Sequence, residues 1–446
     1  MNTLDQLRTG ALAGSRRLSL SCGLETFPPE IFMLADTLEI LDLSGNALAR
    51  LPDDLARLHR LRIIFCSNNL FTELPAVLGQ CARLEMIGFR ANQIRHVPAA
   101  SLPPRLRWLV LTDNQLTELP ASLGRCTQLQ KLMLAGNRLA ALPPEMAACA
   151  RLELLRLAAN RLTVLPSWLL ALPRLAWLAF AGNPLDEASP AVAPAVAPLP
   201  RIGWDSLQIG ALLGEGASGV IHQALWQHGN TARPVAVKVF KGAMTSDGLP
   251  RDEMAACISA GAHSTLIAVH GQLTGHPAGA SGLVMDLVAP RFRNLAAPPS
   301  LQSCTRDVYD AKTRFTPAAA VQLAWGVASA VRLLHVRGVL HGDLYAHNIL
   351  CTDDGQALLG DFGAASLFSP ANGPFSRALQ RIEVRAFSCL LEELLACCRA
   401  LPGAHALLRE LAALQAECAS LDTESRPLFS EIQERLASCG QTAWAP

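Results

Sequence analysis

His341-Gly342-Asp343-Leu344-Tyr345-Ala346-His347-Asn348-Ile349-Leu350, followed by Gly360-Asp361-Phe362-Gly363, is the stretch from which the rest of the chain is read. Asn348 stands five residues after Asp343, and Asp361 thirteen after Asn348. Upstream, Gly214-Glu215-Gly216-Ala217-Ser218-Gly219 separates two strand-like runs, and glycines let backbone amides approach a ligand where a Cβ would clash. Val235-Ala236-Val237-Lys238-Val239-Phe240 then sets one lysine in a strand too apolar for an ordinary solvated one. Gly282 to Val288 is a further apolar strand, and Glu383 to Leu395 has the pattern of a long buried helix. A single glycine-rich pattern carries little information. The meaning lies in the order of the whole set.

In that order the motifs resemble the eukaryotic-like protein kinases, over about residues 201–438. The resemblance implies a bilobal α+β fold, ATP and Mg2+ as cofactors, and transfer of the γ-phosphoryl group to a hydroxyl, serine or threonine first. It implies that Gly214, Gly216, Gly219 and Ile221 cover the phosphates and that Lys238 pairs with the α- and β-phosphates. Its glutamate partner is expected on the helical stretch Arg251 to Ala260, with Glu253 preferred over Asp252. By the same analogy Met285 is the gatekeeper, and the backbone of Asp286 and Val288 holds adenine. Asp343 is expected to accept the substrate hydroxyl proton, with Lys238 and Glu253 beside it in the catalytic set. Asn348 and Asp361 are the expected magnesium ligands, since that hard cation takes oxygen donors and keeps waters. His341 is expected to order the loop; a zinc site among His335, His341 and His347 is not expected. Arg426-Pro427, with Phe429, Ile432 and Leu436, resembles the last subdomain.

Three positions depart from the family pattern. Gly342 replaces the arginine that meets a phosphorylated activation loop, so no switch of that kind is expected. Tyr345 stands where Ser/Thr kinases carry a lysine near the γ-phosphate; His347 is a candidate source of charge there. Only 22 residues separate Asp361 from Glu383, without Ala-Pro-Glu, in the stretch that usually builds the peptide platform. Arg426, usually paired with that missing glutamate, must find another partner or solvent. His-Gly-Asp also occurs in small-molecule kinases of the aminoglycoside and choline type, and an ATP-binding pseudokinase scaffold is a third reading. The repeats described next favour a protein acceptor, and the retained Lys238, Asp343, Asn348 and Asp361 favour catalysis.

Asparagines at 46, 69, 92, 114, 137, 160 and 183 recur at intervals of 22 or 23 residues inside L-x-x-L-x-L-x-x-N-x-L-x-x-L-P. Leu106, Leu109, Leu111, Asn114, Leu116, Leu119 and Pro120 make one complete copy. This resembles the leucine-rich repeat over about residues 15–186, with a degenerate N-terminal cap around Leu18 to Pro28 in which Cys22 lies near the asparagine position. The expected architecture is an α/β solenoid in which stacked neighbours complete a shared core. Cys81, Cys126 and Cys149 fall twelve residues after an asparagine, where Leu58 and Leu172 stand in other copies, so they are read as packing residues. Alternation along each strand turns Ile40, Ile63, Met86, Trp108, Lys131, Leu154 and Trp177 outward, with Phe65, Val110 and Met133 in the next column. So apolar a concave face is expected to bind a protein partner, or else to be covered by the kinase domain of the same chain.

The 446 residues, half of them apolar, are enough for two domains. The expected division is 1–187 for the repeats, 188–200 for an Ala/Pro-rich linker and 201–446 for the kinase domain. A net charge of +1 gives no reason to expect nucleic acid or a membrane surface as partner. Thirteen cysteines, odd in number and without a CxxC pair, point to reduced thiols and a cytoplasmic setting. Residues 1–20 lack the apolar segment of a signal peptide, and the apolar stretch Ala318 to Leu334 reads as a buried helix. The whole resembles a bacterial leucine-rich-repeat protein kinase.

Overall fold

The computed structural model describes residues 2–185, 199–216, 218–241, 244–245, 247–371, 373–399 and 405–443. The linker expected at 188–200 lies outside them except for its last two residues. Two compact units result: residues 1–175 with 183–185, and residues 176–182 with 186–446.

The first unit is a run of parallel three-residue strands: β1 (Arg17–Ser19), β2 (Ile40–Asp42), β3 (Ile63–Phe65), β4 (Met86–Gly88), β5 (Trp108–Val110), β6 (Lys131–Met133) and β7 (Leu154–Arg156). Each central residue, from Leu18 through Ile64 to Leu155, points inward and is fully buried, as a two-residue period requires. Prolines 28, 75, 98, 120 and 143 then start the 3-10 turns of the return segments, where their fixed φ fits and no amide is needed. The asparagines satisfy the backbone left open at each strand exit. Asn69 Nδ2 donates to Leu43 O (2.9 Å) and Cys66 O (3.1 Å), while its Oδ1 accepts from Leu48 N (2.9 Å). Asn114, Asn137 and Asn160 repeat this from copy to copy. Cys66, Cys81, Cys126 and Cys149 are buried free thiols, and burial pushes the last three up to about 11.

The residue before every repeat asparagine has a left-handed backbone: Gly45, Asn68, Ala91, Asp113, Gly136, Ala159 and Gly182, with φ between 52° and 72°. Glycine or a short polar side chain suits that conformation, whereas alanine is strained there. Ala91→Gly therefore stabilises the full chain by about 0.5–1 kcal/mol, the strain relieved exceeding glycine's added chain entropy. A higher urea midpoint at unchanged slope would show it; a lower midpoint would refute it.

Of the outward residues expected to meet a partner, Ile63, Met86, Leu154 and Trp177 are buried, whereas Ile40, Phe65, Trp108, Val110 and Met133 are half-buried. Trp177 lies in strand β8 (Trp177–Ala179), whose residues belong to the second unit.

The chain resumes with β9 (Arg201–Gly203) and a 3-10 turn over Trp204–Ser206. The strand β10 (Leu207–Glu215) pairs with β11 (Gly219–His228), then β12 (Thr231–Phe240). With β13 (Val269–Thr274) and β14 (Gly282–Asp286) they form a six-stranded sheet in the order β10-β11-β12-β14-β13-β9. One face packs around Ile202, Leu207, Val235, Val237, Leu273 and Val284. Helix α1 (Pro250–Ala260) follows β12.

The rest is mainly helical: α2 (Pro317–Val336), α3 (Gly373–Cys397), α4 (His405–Cys418) and α5 (Phe429–Ala443). Helix α2 starts with Thr316 Oγ1 accepting from Ala319 N and Pro317 in the first turn, a favourable N-terminus. It is long and apolar enough to cross a membrane, but Leu323, Val327, Val331 and Leu334 are fully buried in this unit. Two small ribbons, Ile349–Cys351 with Ala357–Leu359 and Val339–Leu340 with Ser366–Leu367, frame the loops that carry Asp343 and Asp361.

Candidate active site

Lys238 is held in the middle of β12, opposite Ile221 on one side and Leu283 on the other. Its Nζ donates to Glu253 Oε1 of α1 at 2.5 Å and lies 3.5 Å from Asp361 Oδ1. Both Lys238 and Glu253 are buried. Burial works against the Lys238 charge, but Asp361 and Glu253 outweigh it and hold the ammonium above its usual range. Burial pushes Glu253 above the carboxylate range, with Asp361 adding to the effect and Lys238 opposing it. Asp252, the alternative partner, is 3.6 Å from Arg251 instead.

Asp361 has φ of 54°, a left-handed conformation that a short polar side chain such as aspartate tolerates. Its Oδ1 accepts from Gly363 N at 3.2 Å. Its partly enclosed position works against the charge, yet Lys238, the Gly363 amide and His341 hold the carboxyl below its usual range. Asn348 Nδ2 donates to Asp343 O (2.9 Å) and Asp343 Oδ2 (2.8 Å), which leaves Asn348 Oδ1 as the atom for a hard cation.

The glycines divide by role. A Cβ on Gly219 would stand 2.6 Å from Val239 O, so that glycine serves the pairing of β11 with β12. Among the described residues, a Cβ on Gly214 or Gly216 would meet nothing within 4 Å. Packing among the described residues does not call for glycine there, whereas a close-fitting phosphate would. Ala217 is outside the described residues. Met285 lies in β14 opposite Ala236 and Val269. Asp286 N donates to Ala268 O at 2.9 Å, so an adenine contact at Asp286 falls to its carbonyl; Val288 lies beyond the strand end.

The catalytic loop is pinned from several sides. His341 Nε2 contacts Gly360 O at 3.0 Å and its Nδ1 accepts from Asp343 N at 3.3 Å, which sets the tautomer. Gly342 N donates to Glu383 Oε1 at 2.6 Å, and the other Glu383 oxygen is 2.7 Å from His335 Nε2. Gly342 has φ of 73°, and a Cβ on it would stand 2.5 Å from Ala364 O and 2.7 Å from Leu178 O. An arginine does not fit here. Glu383, read from sequence only as part of a helix, is thus a buried acceptor for the loop. Its partner lies 41 residues away, and no local pattern shows the pairing.

His347 binds Asp307 twice, from its backbone N to Oδ2 (2.9 Å) and through Nδ1 to Oδ1 (2.7 Å). Burial lowers the imidazole pKa, but Asp307 first, with Asp343 and Asp361, raises it on balance. Because the folded pKa is raised, the stabilisation from His347 is fully present below the unfolded value of about 6.5 and is lost as pH rises through the folded one. The stability difference between the protein and His347→Asn should therefore shrink with rising pH across that window, as urea titrations at several pH values would show. A pH-independent difference would refute it. Tyr345 is buried, with its ring between Trp177 and His347. Arg426 is buried too and donates to Ser420 O (2.9 Å) and Arg381 O (3.1 Å). Burial, then Arg385, brings its pKa to about 10.

Both parts of the chain are similar to known proteins. Residues 207–387 match the family model described as protein tyrosine and serine/threonine kinase, and residues 127–185 and 37–58 match leucine-rich-repeat models. Similar proteins include a serine/threonine-protein kinase-like protein of Arabidopsis thaliana, 24% identical over 169 residues, covering 27% of this chain and 50% of that protein. Fibroblast growth factor receptor 1 of Pleurodeles waltl is 28% identical over 174 residues, covering 36% and 21%. Serine/threonine-protein kinase TAO3 of Rattus norvegicus is 47% identical over 47 residues, covering 10% and 5%. The chain thus spans half or less of the length of these relatives. A solved leucine-rich-repeat protein of Leptospira interrogans aligns with TM-score 0.38 at 32% identity, covering 41% of this chain and 46% of that one. The chain carries leucine-rich repeats followed by a protein-kinase domain.

Proposed function

We propose that the C-terminal domain transfers the γ-phosphoryl group of ATP to a protein hydroxyl, serine or threonine first, and that the repeats bring the acceptor protein. The observation that carries this reading is the joint placement of Lys238, Glu253 and Asp361 within one ion-paired group, with Asp343 and Asn348 hydrogen-bonded to each other. Gly214 and Gly216 leave room for phosphates, Lys238 pairs with them, and the carbonyl of Asp286 and the amide of Val288 take the adenine edge. Asn348 Oδ1 and the Asp361 carboxylate would hold magnesium, which when bound neutralises phosphate charge. Asp343 orients the acceptor hydroxyl and receives its proton as the new oxygen–phosphorus bond forms and the bond to the β-phosphate oxygen breaks. The half-buried Trp108, with Lys131 Nζ 4.3 Å over its ring, and its neighbours Phe65, Val110 and Met133 are the proposed protein-binding surface. Free thiols at all thirteen cysteines support a cytoplasmic setting.

A second reading, a small-molecule acceptor, is favoured by one observation: α3 begins at Gly373, leaving little chain after Gly363 for a peptide platform. The test is γ-labelled ATP with magnesium, with a generic protein acceptor or a panel of metabolite hydroxyls, beside Asp361→Ala. Label on protein only with the unaltered chain supports the first reading; label on a metabolite supports the second. Magnesium-dependent ATP binding without transfer overturns both.

A further inference from the structure

Residues 176–182 lie outside the segment that matches the kinase family model, yet they are part of the unit that holds the catalytic loop. Trp177 is fully buried there. Its indole Nε1 donates to Leu344 O at 3.1 Å, and its ring stacks on Tyr345 with centroids 4.1 Å apart and planes 6° from parallel.

We propose that Trp177 is a positioning residue for Asp343, and that residues 176–182 form the wall of the catalytic loop that a longer chain after Gly363 would otherwise build. Leu178 O is the atom that a Cβ on Gly342 would strike. Phe180 N donates to the buried Ser366 Oγ at 2.9 Å, on the strand that follows Asp361. One short segment therefore touches residues 342, 344, 345 and 366, on both loops of the site. Asp343 stands between two peptide groups with fixed partners. On its N-terminal side Gly342 N is held by Glu383; on its C-terminal side Leu344 O is held by Trp177. A buried indole N–H needs an acceptor and a buried carbonyl a donor, so each satisfies the other. The parallel stack fixes the Tyr345 ring, and Tyr345 N donates to Asp343 O at 2.8 Å, which carries the constraint to the aspartate itself. With α3 beginning at Gly373, only residues 364–372 follow the Asp361 motif before it. The inference rests on the reading of Asp343 as the catalytic base.

The experiment uses full-length chain carrying Trp177→Ala or Trp177→Phe. Trp177→Ala should lower kcat by about 10- to 100-fold, as small misplacements of a reacting group do, with the KM for ATP unchanged. Trp177→Phe, which keeps the stack and loses one hydrogen bond, should recover most of that loss. Amide hydrogen exchange over 341–348 should quicken in Trp177→Ala while that of 282–286 stays as it was. Unchanged exchange in the loop overturns the proposal. Loosening of loop and strand together, with a raised KM for ATP, also overturns it in favour of a general structural role. If the unaltered chain transfers no phosphate, the kinase reading fails, and the exchange measurement still decides whether Trp177 holds the loop.

Discussion

Asp343→Asn lowers phosphoryl transfer by about 10³-fold, the middle of the range for loss of a positioned general base, and leaves ATP affinity unchanged. The substitution keeps size and removes the charge that receives the proton. The loop should survive it, because its supports lie elsewhere: Gly342 N on Glu383, His341 on Gly360 O and Leu344 O on Trp177. The side chain can still meet Asn348 Nδ2 with its one remaining oxygen. In the proposed reading the nucleotide contacts fall to Lys238, the glycines and β14, none of which the change touches. Steady-state transfer measured beside equilibrium nucleotide binding separates the two effects. Transfer within a few-fold of the unaltered protein would remove Asp343 from the mechanism, and a parallel loss of ATP binding would assign it to folding.

Glu383→Ala destabilises the protein by about 3–5 kcal/mol, because it leaves two buried donors without their acceptor. Glu383 is 1% exposed and meets Gly342 N at 2.6 Å and His335 Nε2 at 2.7 Å. His335 is itself 3% exposed, so bulk solvent does not reach it. Glu383→Gln keeps one acceptor oxygen and should cost less. Urea unfolding ranks the three proteins. Equal midpoints would mean that the hydrogen bonds contribute nothing net, and Gln falling below Ala would mean that the added amide donor is the dominant penalty.

Residues that share a local pattern are legible in the sequence itself. The asparagine spacing marks the strand exits, where Asn69, Asn114, Asn137 and Asn160 bind the backbone of the copy before. The pairing of Lys238 with Glu253 is legible through the family resemblance, which implies a glutamate partner on the helix after that strand. Contacts made across long separations leave no such trace. Asp307, which holds His347, lies in a stretch without repeating pattern, and the helical pattern around Glu383 does not show that it meets Gly342. Trp177 is legible only as an outward residue: strand alternation does not show which of the two expected kinds of contact it makes, and it stacks on Tyr345. The left-handed residue before each asparagine is visible as Gly45, Gly136 and Gly182 but is hidden by Ala91 and Ala159 in the same column.

The cysteines have a practical consequence for attaching probes. Cys22 is exposed, ten others are buried, and Cys398 and Cys439 are half-buried. Thiol alkylation requires the thiolate. Burial pushes Cys81, Cys126, Cys149 and Cys398 up to about 11 and Cys418 up to about 12, so almost none of these is ionised at neutral pH. A maleimide dye at neutral pH will therefore mark the N-terminal cap at Cys22 first, giving a fluorescent reporter at one known position with the other twelve cysteines left in place.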